Sequence, residues 1–588
     1  MPEFLPISKA DMESRGIDRL DFVFVTGDAY VDHPSFGTAI IARVLEADGY
    51  TVGILSQPDW RRPEAFLALG LPRYAFLVGS GNIDSMVNHY TAARRRRSED
   101  AYTEGGAPGR RPDRAVIVYS NAIRAAAPGV PVVIGGIEAS LRRFAHYDYW
   151  DDAVRRSVLL DSGADILVYG MGETPILEVA ARLAAGKPLD DIRGTAVRVP
   201  YPVGDGILLP DFDTVRQNKK AYMSATVTQY REQDALRGKP LYQQYGTVFI
   251  KQNPPAPPLA QAEFDRVYEL PYCYAPHPSY TKGVPAIEEV AFSIIHNRGC
   301  FGACSFCALT LHQSRVVTSR SHDSVVREGA AMTKRPGFKG YIHDVGGPTA
   351  NFRQPACKKQ LTEGVCPDRR CLSPTPCPAL QVDHTEYLGI LRDLRALPGV
   401  KKVFVRSGLR YDYMLLDRSN DFARELVAHH ISGQLKVAPE HVCDAVLLRM
   451  GKPPQKVFDD FRSLYAKLNR EYKKEQYIVP YLMSSHPGST MKEAVELALY
   501  LKRTGLRPEQ VQDFYPTPGT ISTAMYYTGL DETGKPVYVA KSQEEKDMQR
   551  ALLQFYRPQN HAKVRAALVR AGRADLIGRG PGCLVPPA

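Results

Sequence analysis

Short apolar segments that alternate with helical patterns constrain the fold of this chain more than any other feature. The run Phe22–Val25 is followed by a Gly/Asp turn and then by apolar residues at helical spacing from Ile40 to Leu45. Further short runs that lack charged residues lie at Ala115–Tyr119, Val130–Ile134 and Ile166–Tyr169. Strands that are buried on both faces of a parallel sheet have this composition. Residues 1–200 are therefore predicted to form a doubly wound α/β domain.

A second series of strands begins beyond a segment that cannot be a helix interior or a central strand. That segment contains Asn253-Pro254-Pro255-Ala256-Pro257-Pro258, and a connecting region is predicted over residues 201–285. Six further strands are predicted at Val290–Ile295, Tyr341–Val345, Val403–Arg406, Gln434–Val437, Tyr477–Tyr481 and Gln512–Tyr515. Helical patterns separate most of them, so residues 286–530 are predicted to form a partial barrel with its functional groups after the carboxyl ends of the strands. Residues 531–588 are predicted to be a helical extension.

The composition excludes a disordered chain and a disulfide-rich scaffold. Of the 588 residues 44% are hydrophobic and 24% are charged, which is ordinary for a globular protein. No apolar run approaches the roughly 18 residues of a membrane span, and the N-terminus lacks the pattern of a signal peptide, so a cytoplasmic location is predicted. Ten cysteines are too few to staple so long a chain. Metal chemistry is the better interpretation of those that cluster.

Three of these cysteines lie in one loop directly after the first predicted barrel strand. Cys300, Cys304 and Cys307 have the spacing C-x3-C-x2-C in a loop that contains glycine. Three thiolates close together can hold three irons of a cubane cluster and leave the fourth iron open. A zinc site normally needs a fourth protein ligand, and three buried cysteines without metal are the other alternative.

This loop resembles the signature of the radical S-adenosylmethionine (radical SAM) superfamily. The resemblance rests on the spacing of the cysteines, on Phe306 directly before Cys307, and on the position after a first barrel strand. It implies that Cys300, Cys304 and Cys307 hold a [4Fe-4S] cluster whose open iron binds S-adenosylmethionine. It also implies reductive cleavage of that cofactor to methionine and a 5′-deoxyadenosyl radical, with Phe306 near the adenine.

Four later motifs resemble the same superfamily in the order in which they occur. Gly346-Gly347-Pro348-Thr349 resembles the Gly-Gly-Glu motif that receives the methionine ammonium, except that Pro348 stands where an acidic residue is usual. Glycines suit that place because they let the backbone approach a ligand closely, although a Gly-Gly pair by itself is more often a simple turn. The other three resemble motifs of methylthiotransferase-like enzymes: Pro439-Glu440-His441 with Met450-Gly451-Lys452, Ser485–Thr490, and Tyr515–Thr520. The resemblance implies a set of cofactor-binding residues, namely Phe306, Gly346, Gly347, Pro348, Thr349 and Glu440.

Phrases in the first half of the chain narrow the resemblance to the YgiQ family of radical SAM proteins. They are Asp28–Gly37, Gly135–Arg143 and His146–Trp150, together with His296–Cys300. The N-terminal domain resembles the cobalamin-binding domain that precedes many radical SAM barrels. Such domains usually carry an Asp-x-His-x-x-Gly loop, whereas Asp32 and His33 are adjacent here. Some radical enzymes bind cobalamin without that histidine, so binding stays an alternative, but the expectation is an inherited fold without cobalamin.

A second group of cysteines interrupts the barrel in an insertion at about residues 352–382. Cys357, Cys366, Cys371 and Cys377 lie within 21 residues, in a segment rich in Pro, Lys and Arg. Four thiols match a zinc site or an auxiliary iron-sulfur cluster, but the C-x2-C pairs of zinc ribbons are absent from their spacing. Unpaired thiols and a redox pair are the alternatives to a metal site.

These observations predict a radical SAM enzyme, with a non-catalytic iron-sulfur protein for electron transfer or interaction as the alternative. The expected partner is a low-potential electron donor such as flavodoxin or ferredoxin, and neither membrane nor DNA is expected to bind. The resemblance leaves the substrate class open among RNA, protein and small molecules, and modification of RNA or protein is expected. Arg94–Arg97 and the C-terminal helix Lys563–Arg570 are basic and slightly favour RNA, although a run of arginines is also typical of a solvated loop. His343 and His486 could face the mouth of the barrel, but structural roles are expected for both. No residue is assigned to the hydrogen-abstraction step.

Overall fold

A nine-stranded sheet is the centre of the first half of the protein. The structure is a computed structural model that describes residues 3–588. The order of the sheet is β10-β11-β12-β9-β8-β5-β4-β1-β3. Strands β3, β1, β4, β5 and β8 are parallel to one another, and β8 pairs antiparallel with β9. The strands of this half are β1 (Phe22–Thr26), β2 (Val31–Asp32), β3 (Val52–Ser56), β4 (Ala75–Gly79), β5 (Val132–Ile134), β6 (His146–Asp148), β7 (Ala153–Arg155), β8 (Ile166–Val168), β9 (Thr195–Val199), β10 (Ile207–Leu208), β11 (Leu241–Tyr245), β12 (Val248–Gln252) and β13 (Ala275–Pro276). The helices are α1 (Lys9–Ser14), α2 (Gly37–Ala47), α3 (Ser85–His89), α4 (Ala115–Ala126), α5 (Gly136–Ser140), α6 (Val158–Asp161), α7 (Glu173–Ala184), α8 (Phe212–Gln217), α9 (Lys219–Arg231) and α10 (Gln261–Tyr268). The predicted doubly wound domain is confirmed.

One predicted strand of this domain was wrong. Residues 115–119 form the first turn of helix α4 and not a strand. Their apolar run is part of a longer pattern in which Ala115, Val116, Tyr119 and Ile123 are buried on one face of the helix. Because a short apolar run has no period of its own, only the following residues distinguish the two structures.

The predicted connecting region is partly a continuation of the N-terminal sheet. Strands β11 and β12 lie within residues 201–285, and β12 pairs antiparallel with β9 of the N-terminal domain. β11 reads Leu-Tyr-Gln-Gln-Tyr, yet all of its residues except Gln244 are buried. Because the two glutamines interrupt the apolar run, the sequence pattern does not predict this strand.

The second half is an arc of short parallel strands with helices between them. Its parallel pairs are β14 with β18, β17 with β19, β20 with β21, and β21 with β22, in sequential order along the chain. The strands are β14 (Ser293–Ile295), β15 (Asn297–Arg298), β16 (Thr318–Ser319), β17 (Tyr341–Ile342), β18 (Asp344–Gly346), β19 (Lys402–Val403), β20 (Gln434–Glu440), β21 (Tyr477–Ser484) and β22 (Gln512–Asp513). The helices are α11 (Ile287–Val290), α12 (Leu309–His312), α13 (His322–Met332), α14 (Lys359–Thr362), α15 (Thr385–Ala396), α16 (Tyr411–Met414), α17 (Asp421–Glu425), α18 (Asp444–Met450), α19 (Gln455–Glu471), α20 (Met491–Thr504), α21 (Ile521–Thr528), α22 (Gln543–Leu553) and α23 (His561–Arg570). Each predicted barrel strand overlaps one of these, although Val290 ends helix α11.

The two halves and the C-terminal helices share one hydrophobic core. A single cluster of buried side chains runs from Met12 to Leu553 and includes residues of both halves. Tyr527 of α21 stacks on Tyr147 of β6 with ring centroids 4.8 Å apart, which joins the end of the barrel to the first domain. Helices α20, α22 and α23 enclose a smaller cluster of their own. Within residues 3–588, no helix is both long enough and apolar enough to cross a membrane.

Candidate functional site

The cysteine loop leaves β15 through a tight turn that requires glycine. Gly299 has φ +83°, and an added Cβ there would overlap the carbonyl of Val316. An added Cβ at Gly302 would overlap the guanidinium of Arg410 and lie 3.3 Å from Cys300 Sγ. The glycines of this loop therefore let its backbone close around Cys300, Cys304 and Cys307.

The three thiols of this loop influence one another electrostatically. Burial is the largest cause that raises the pKa of Cys300, and Cys304 raises it further. Burial is the largest cause that raises the pKa of Cys307 to about 12, and the neighbouring Cys304 and Cys300 raise it further. Arg410 donates a hydrogen bond to Cys304 Sγ at 3.5 Å. Thiols with raised pKa values are protonated near pH 7, and binding of a metal displaces their protons.

The cysteine loop supplies three thiols, which is the donor type of an iron-sulfur cluster. Among residues 3–588, no three Cys, His, Asp or Glu side chains form a group that could hold one metal ion. In a cubane cluster, each thiolate binds a different iron. Cys300, Cys304 and Cys307 have the residue type that three corners of a cubane need, and Cys307 N donates to the carbonyl of Cys304 at 3.1 Å.

Asn297 connects the cysteine loop to the turn that follows β18. Its side-chain amide donates hydrogen bonds to the carbonyls of Thr349 at 3.0 Å and Phe352 at 2.7 Å. The other amide atom, Oδ1, is buried and has no partner among the described residues. Thr349 Oγ1 also lies 3.4 Å from Cys300 Sγ. The turn Gly346–Thr349 is thus held against the first cysteine, with one unpaired acceptor beside it.

Glycine is required at both positions of this turn because neighbouring atoms lie too close for a Cβ, and not because the backbone has an unusual conformation. Neither residue has a positive φ. An added Cβ at Gly347 would overlap Asn297 Oδ1 and lie 2.8 Å from the Asn297 carbonyl. An added Cβ at Gly346 would overlap the hydroxyl of Ser407 and lie 2.6 Å from Asp344 Oδ2. The pair therefore makes room for the asparagine that positions the cysteine loop.

A buried group of charges lies beside the cysteines, and the sequence pattern predicted only part of it. Arg410 pairs with Asp412, and Lys452 Nζ lies 3.7 Å from Glu440 Oε1. Burial raises the pKa of the Glu440 carboxyl, and Lys452 acts in the opposite direction. Of these four residues, only Glu440 was predicted to bind the cofactor, and Lys452 belongs to the same named motif. The signal for Arg410 and Asp412 was their position just after the third barrel strand, where barrel enzymes place functional groups.

The remaining motifs converge on the same loop. Ser305 N donates to the carbonyl of Met450 at 2.9 Å, and Ser522 N donates to the carbonyl of Ser305 at 2.9 Å. Phe306 lies edge-on to His486 with ring centroids 6.1 Å apart, and Lys452 Nζ is 5.9 Å from its ring centroid. Two of the strand-end motifs therefore lie beside Phe306, through His486 and Lys452. Their roles in cofactor binding stay predictions.

Both singled-out histidines have structural contacts. His486 is fully buried between Ser522 Oγ at 2.7 Å and the carbonyl of Pro487 at 2.9 Å. Burial lowers the pKa of His486 to about 3, so the ring stays neutral. His343 lies edge-on to Phe292 at 5.6 Å between β17 and β18.

A glycine-rich cleft separates the N-terminal sheet from the cysteine loop. It has a volume of about 150 Å³, and its walls include Gly79, Gly135 and Gly170 on one side and Arg298 on the other. Arg298 forms a buried ion pair with Glu173 at the start of α7. The cleft therefore lies where the carboxyl ends of the parallel strands face the barrel.

The Asp32-His33 segment does not face this cleft. Asp32 forms a buried ion pair with Arg43. His33 is 1% exposed, its Nδ1 accepts a hydrogen bond from Ser35 N at 3.0 Å, and its ring lies edge-on to Tyr274. Neither side chain lines the cleft.

The second cysteine group lies against the first. All four of its thiols are partly buried. Burial is the largest cause that raises the pKa of Cys371 to about 11, and Cys357, Cys377 and Cys366 raise it further. Cys371 and Cys300 border the same small hydrophobic cluster, which is centred on Phe301 and Phe352. The insertion thus brings its cysteines together beside the cysteine loop.

Relatives of the whole chain are found in clostridia. A UPF0313 protein of Clostridium botulinum (strain 657 / Type Ba4) is 58% identical over 99% of this chain and 93% of its own length. A UPF0313 protein of Clostridium perfringens (strain 13 / Type A) is 57% identical over 99% of this chain and 89% of its own length. A family model described as radical SAM N-terminal matches residues 4–293, and one described as a domain of unknown function (DUF3362) matches residues 509–588.

A solved structure shares the fold. The radical S-adenosylmethionine methyltransferase TsrM from Kitasatospora setae, determined with cobalamin and a [4Fe-4S] cluster bound, matches with a TM-score of 0.50 and 14% identity. The match covers 92% of this chain and 90% of that chain. The expectation that the N-terminal domain binds no cobalamin therefore receives no support from the comparisons.

Proposed function

Since the chain belongs to the UPF0313 (YgiQ) family of radical SAM proteins, we propose that it is an enzyme that cleaves S-adenosylmethionine reductively to start a radical reaction on its substrate. When bound, the cluster supplies the electron for that cleavage and its open iron holds the cofactor. The protein supplies three thiolates, a cofactor pocket and exclusion of water.

Cys300, Cys304 and Cys307 hold the cluster in this proposal. Thiolate ligands add negative charge to a largely buried loop, and burial of unpaired charge is costly. Arg410 lies 3.5 Å from Cys304 Sγ, and Lys452 acts on Cys307 in the direction that favours the thiolate. These two cations offset the charge that cluster binding introduces.

The observation that carries the proposal is the unpaired acceptor of Asn297. Its Oδ1 is buried beside Gly347, while its amide nitrogen is fully used by Thr349 and Phe352, so the orientation of the amide group is determined. The side chain of Pro348 has no atom that can accept a hydrogen bond. We therefore assign to Asn297 Oδ1 the acceptance of the methionine ammonium, with the backbone of the glycine turn beside it and Phe306 near the adenine.

Reconstitution of the cluster under anaerobic conditions tests this function. The electron paramagnetic resonance spectrum of the reduced protein is expected to change on addition of S-adenosylmethionine, and chromatography should detect 5′-deoxyadenosine. Both signals should disappear in the variant C300A/C304A/C307A. A cluster whose spectrum ignores the cofactor and yields no 5′-deoxyadenosine would identify the chain as an electron-transfer or interaction protein.

We also propose RNA as the substrate class, on the basis of a groove between the N-terminal domain and the C-terminal helices. The groove has a volume of about 720 Å³, and Arg95, Arg97 and Lys563 line it together with Tyr515 from the end of the last barrel strand. Neither Arg95 nor Arg97 forms an ion pair within residues 3–588. The two basic segments of the sequence thus meet on one surface, and free arginines beside an aromatic ring are typical of single-stranded RNA sites.

Binding of transfer RNA at several salt concentrations tests this substrate class. R95E/R97E is expected to weaken binding at least about tenfold and to lower its salt dependence, since each phosphate contact contributes to that slope. R61E/R62E is the matched control because those two arginines are exposed and lie outside the groove. Equal binding by both variants would assign the substrate to another class.

Any cobalamin in this chain is proposed to bind without a histidine ligand from the Asp32-His33 segment. Asp32 is held by Arg43, and His33 is buried away from the cleft. The cleft is also smaller than the roughly 300–1,000 Å³ of ordinary ligand pockets, so its two walls would have to separate. After incubation with hydroxocobalamin and desalting, the visible absorption should be the same for the parent and for His33→Ala.

A further inference from the structure

A groove beside the cysteine loop connects that loop to the protein surface. It has a volume of about 610 Å³, and helix α9, the insertion and the start of helix α21 form its walls. Arg370 lines this insertion groove, and its side chain donates to the carbonyl of Ala303 at 3.1 Å and to Ser305 Oγ at 2.9 Å. Ala303 and Ser305 are the neighbours of Cys304 in the chain. A single arginine side chain therefore lies between the groove and the backbone on both sides of Cys304.

The insertion groove carries an excess of positive charge. Its lining has two carboxylates, Asp368 and Glu532, and more arginines than carboxylates, namely Arg231, Arg315, Arg369 and Arg370. Arg315 is 3% exposed and donates to the carbonyls of Cys366 at 2.9 Å and Arg369 at 2.7 Å, while its Nε has no partner among the described residues. Within residues 3–588, neither Arg315 nor Arg369 forms an ion pair. Because salt screens a buried charge less than an exposed one, Arg315 keeps the groove positive.

The rim of the insertion groove has the features of a transient protein contact. Arg369 is exposed, and the pair of Arg231 with Asp368 at 2.7 Å is exposed on both sides, so it contributes little and can exchange partners. The exposed Pro367 and Pro374 add apolar surface between these charges. Exposed charges around a small apolar area govern the rate of encounter more than the final affinity.

The insertion groove is separate from the other proposed sites. None of the residues assigned to S-adenosylmethionine lines it, and Asn297 does not line it either. It also shares no lining residue with the groove proposed for RNA. A protein can therefore bind here without displacing the cofactor or the substrate.

We propose that the insertion groove is the docking site of the protein that reduces the cluster, namely a small protein with an acidic surface that carries an electron at low potential. This inference rests on the proposed function, because it requires the cluster at Cys300, Cys304 and Cys307. One electron passes from the donor to the oxidised cluster, so the donor is oxidised by one electron, the cluster is reduced by one, and no bond forms or breaks. Electron transfer slows steeply with distance, and a donor that contacts Arg370 has a short path to Cys304. Redox encounters of this kind bury less than about 1,200 Å² and depend on complementary charge.

Two reductants distinguish the docking site from the proposed function. Reconstituted parent and R231E/R369E receive S-adenosylmethionine with either excess dithionite, which needs no docking site, or reduced flavodoxin. With flavodoxin, the variant should form 5′-deoxyadenosine at least about tenfold more slowly, because charge reversal at the rim slows the encounter. With dithionite, both proteins should react at the same rate.

R61E/R62E is the matched control, because it makes the same change of charge on exposed arginines outside the groove, and it should react as the parent does with both reductants. Equal rates of all three proteins with flavodoxin, or an equal loss of R231E/R369E with both reductants, would overturn the docking site. A parent that yields no 5′-deoxyadenosine with dithionite would overturn the proposed function, and binding then decides about the groove.

Anaerobic titration calorimetry with oxidised flavodoxin measures that binding without turnover. R231E/R369E should bind at least about tenfold more weakly than the parent at low salt and show a smaller salt dependence, whereas R61E/R62E should bind as the parent does. Equal affinity of the three proteins would overturn the proposal. Transfer RNA whose binding is lost in R231E/R369E, with flavodoxin binding unchanged, would assign the groove to nucleic acid.

Discussion

Asn297 and Gly347 illustrate how a side chain and the absence of one together define the site. The asparagine is fully buried, and its amide nitrogen holds two carbonyls of the turn after β18. It fits only because the glycine leaves the space that a Cβ would fill. An unmet buried acceptor costs about 1–3 kcal/mol, so a ligand that donates to Oδ1 recovers that energy on binding.

The substitution Gly347→Ala is expected to damage cofactor cleavage and to lower iron content as well. The new methyl group displaces Asn297, whose backbone leads to Cys300 within three residues. We expect at least about a tenfold loss of 5′-deoxyadenosine, since an overpacked buried contact costs about 1–3 kcal/mol. Gly408→Ala is the control, because nothing lies within 4 Å of an added Cβ there. Equal iron content and equal turnover of the two variants would refute the role of this close contact.

Arg410 is expected to set the charge balance of the cysteine loop. In Arg410→Met, the buried carboxylate of Asp412 loses its partner, which costs about 3–5 kcal/mol of unfolding free energy. The double variant R410M/D412N should recover part of that loss, as measured by denaturant unfolding. Loss of a cation beside Cys304 should also make the reduction potential of the cluster more negative, because the reduced form carries more negative charge. An unchanged potential would show that Arg410 acts only on packing.

At the scale of elements, the site is assembled from the ends of parallel strands and from one insertion. The cysteine loop follows β14 and the short strand β15, the glycine turn follows β18, and Glu440 ends β20. Parallel strands bring such ends to the same edge even when they are far apart in the chain. The insertion then packs on the loop through Arg370, which contacts Ala303, Ser305 and Glu532.

Arg370→Ala is expected to loosen the insertion. The substitution removes three hydrogen bonds, each worth about 0.5–1.5 kcal/mol, and one of them joins an ion pair with Glu532. Hydrogen exchange of residues 357–377 should become faster by about tenfold or more. Arg369→Ala is the matched control because the Arg369 side chain is exposed. The same exchange rates in both variants would mean that Arg370 does not fasten the insertion.

At the scale of the whole molecule, the first domain and the barrel pack against each other. They share a hydrophobic core, and the buried pair of Arg298 and Glu173 joins the cysteine loop to helix α7. Arg298 also lies over the ring of Phe264, which belongs to the connecting region.

Glu173→Gln is expected to lower the unfolding free energy by about 3–5 kcal/mol, because the Arg298 cation stays buried without its counterion. Glu178→Gln lies on the same helix and breaks the exposed pair with Arg182, so it should cost only about 0–1 kcal/mol. Urea unfolding compares the two variants. Equal midpoints would exclude a stabilising role for the pair between the two halves.

Stability is expected to fall as the pH decreases from about 6.5 toward 4. Burial lowers the pKa of His146, His384 and His430 to about 4 each. An unfolded histidine has a pKa near 6.5, so the unfolded chain binds more protons in this window, and the contribution of each histidine is complete only above it. Lowering the pH from about 7.5 to 5.5 should cost about 1 kcal/mol per histidine, seen as a lower melting temperature. His430→Gln should reduce this dependence, and an equal slope in the variant would refute the assignment.

The sequence by itself determined the class of fold, the cysteine loop and the family. Short apolar runs between helical patterns predict parallel strands, and the spacing of Cys300, Cys304 and Cys307 is local, so neither requires knowledge of distant contacts. Residues 115–119 mark the limit of this reasoning, because a short apolar run is compatible with a strand or a helix until packing chooses. Only the tertiary structure decided that Asn297 holds the glycine turn, that Arg410 lies beside Cys304, and that the second cysteine group packs against the first. These contacts join segments that are 50 to 110 residues apart in the chain, and their geometry depends on how the strands and the insertion pack together.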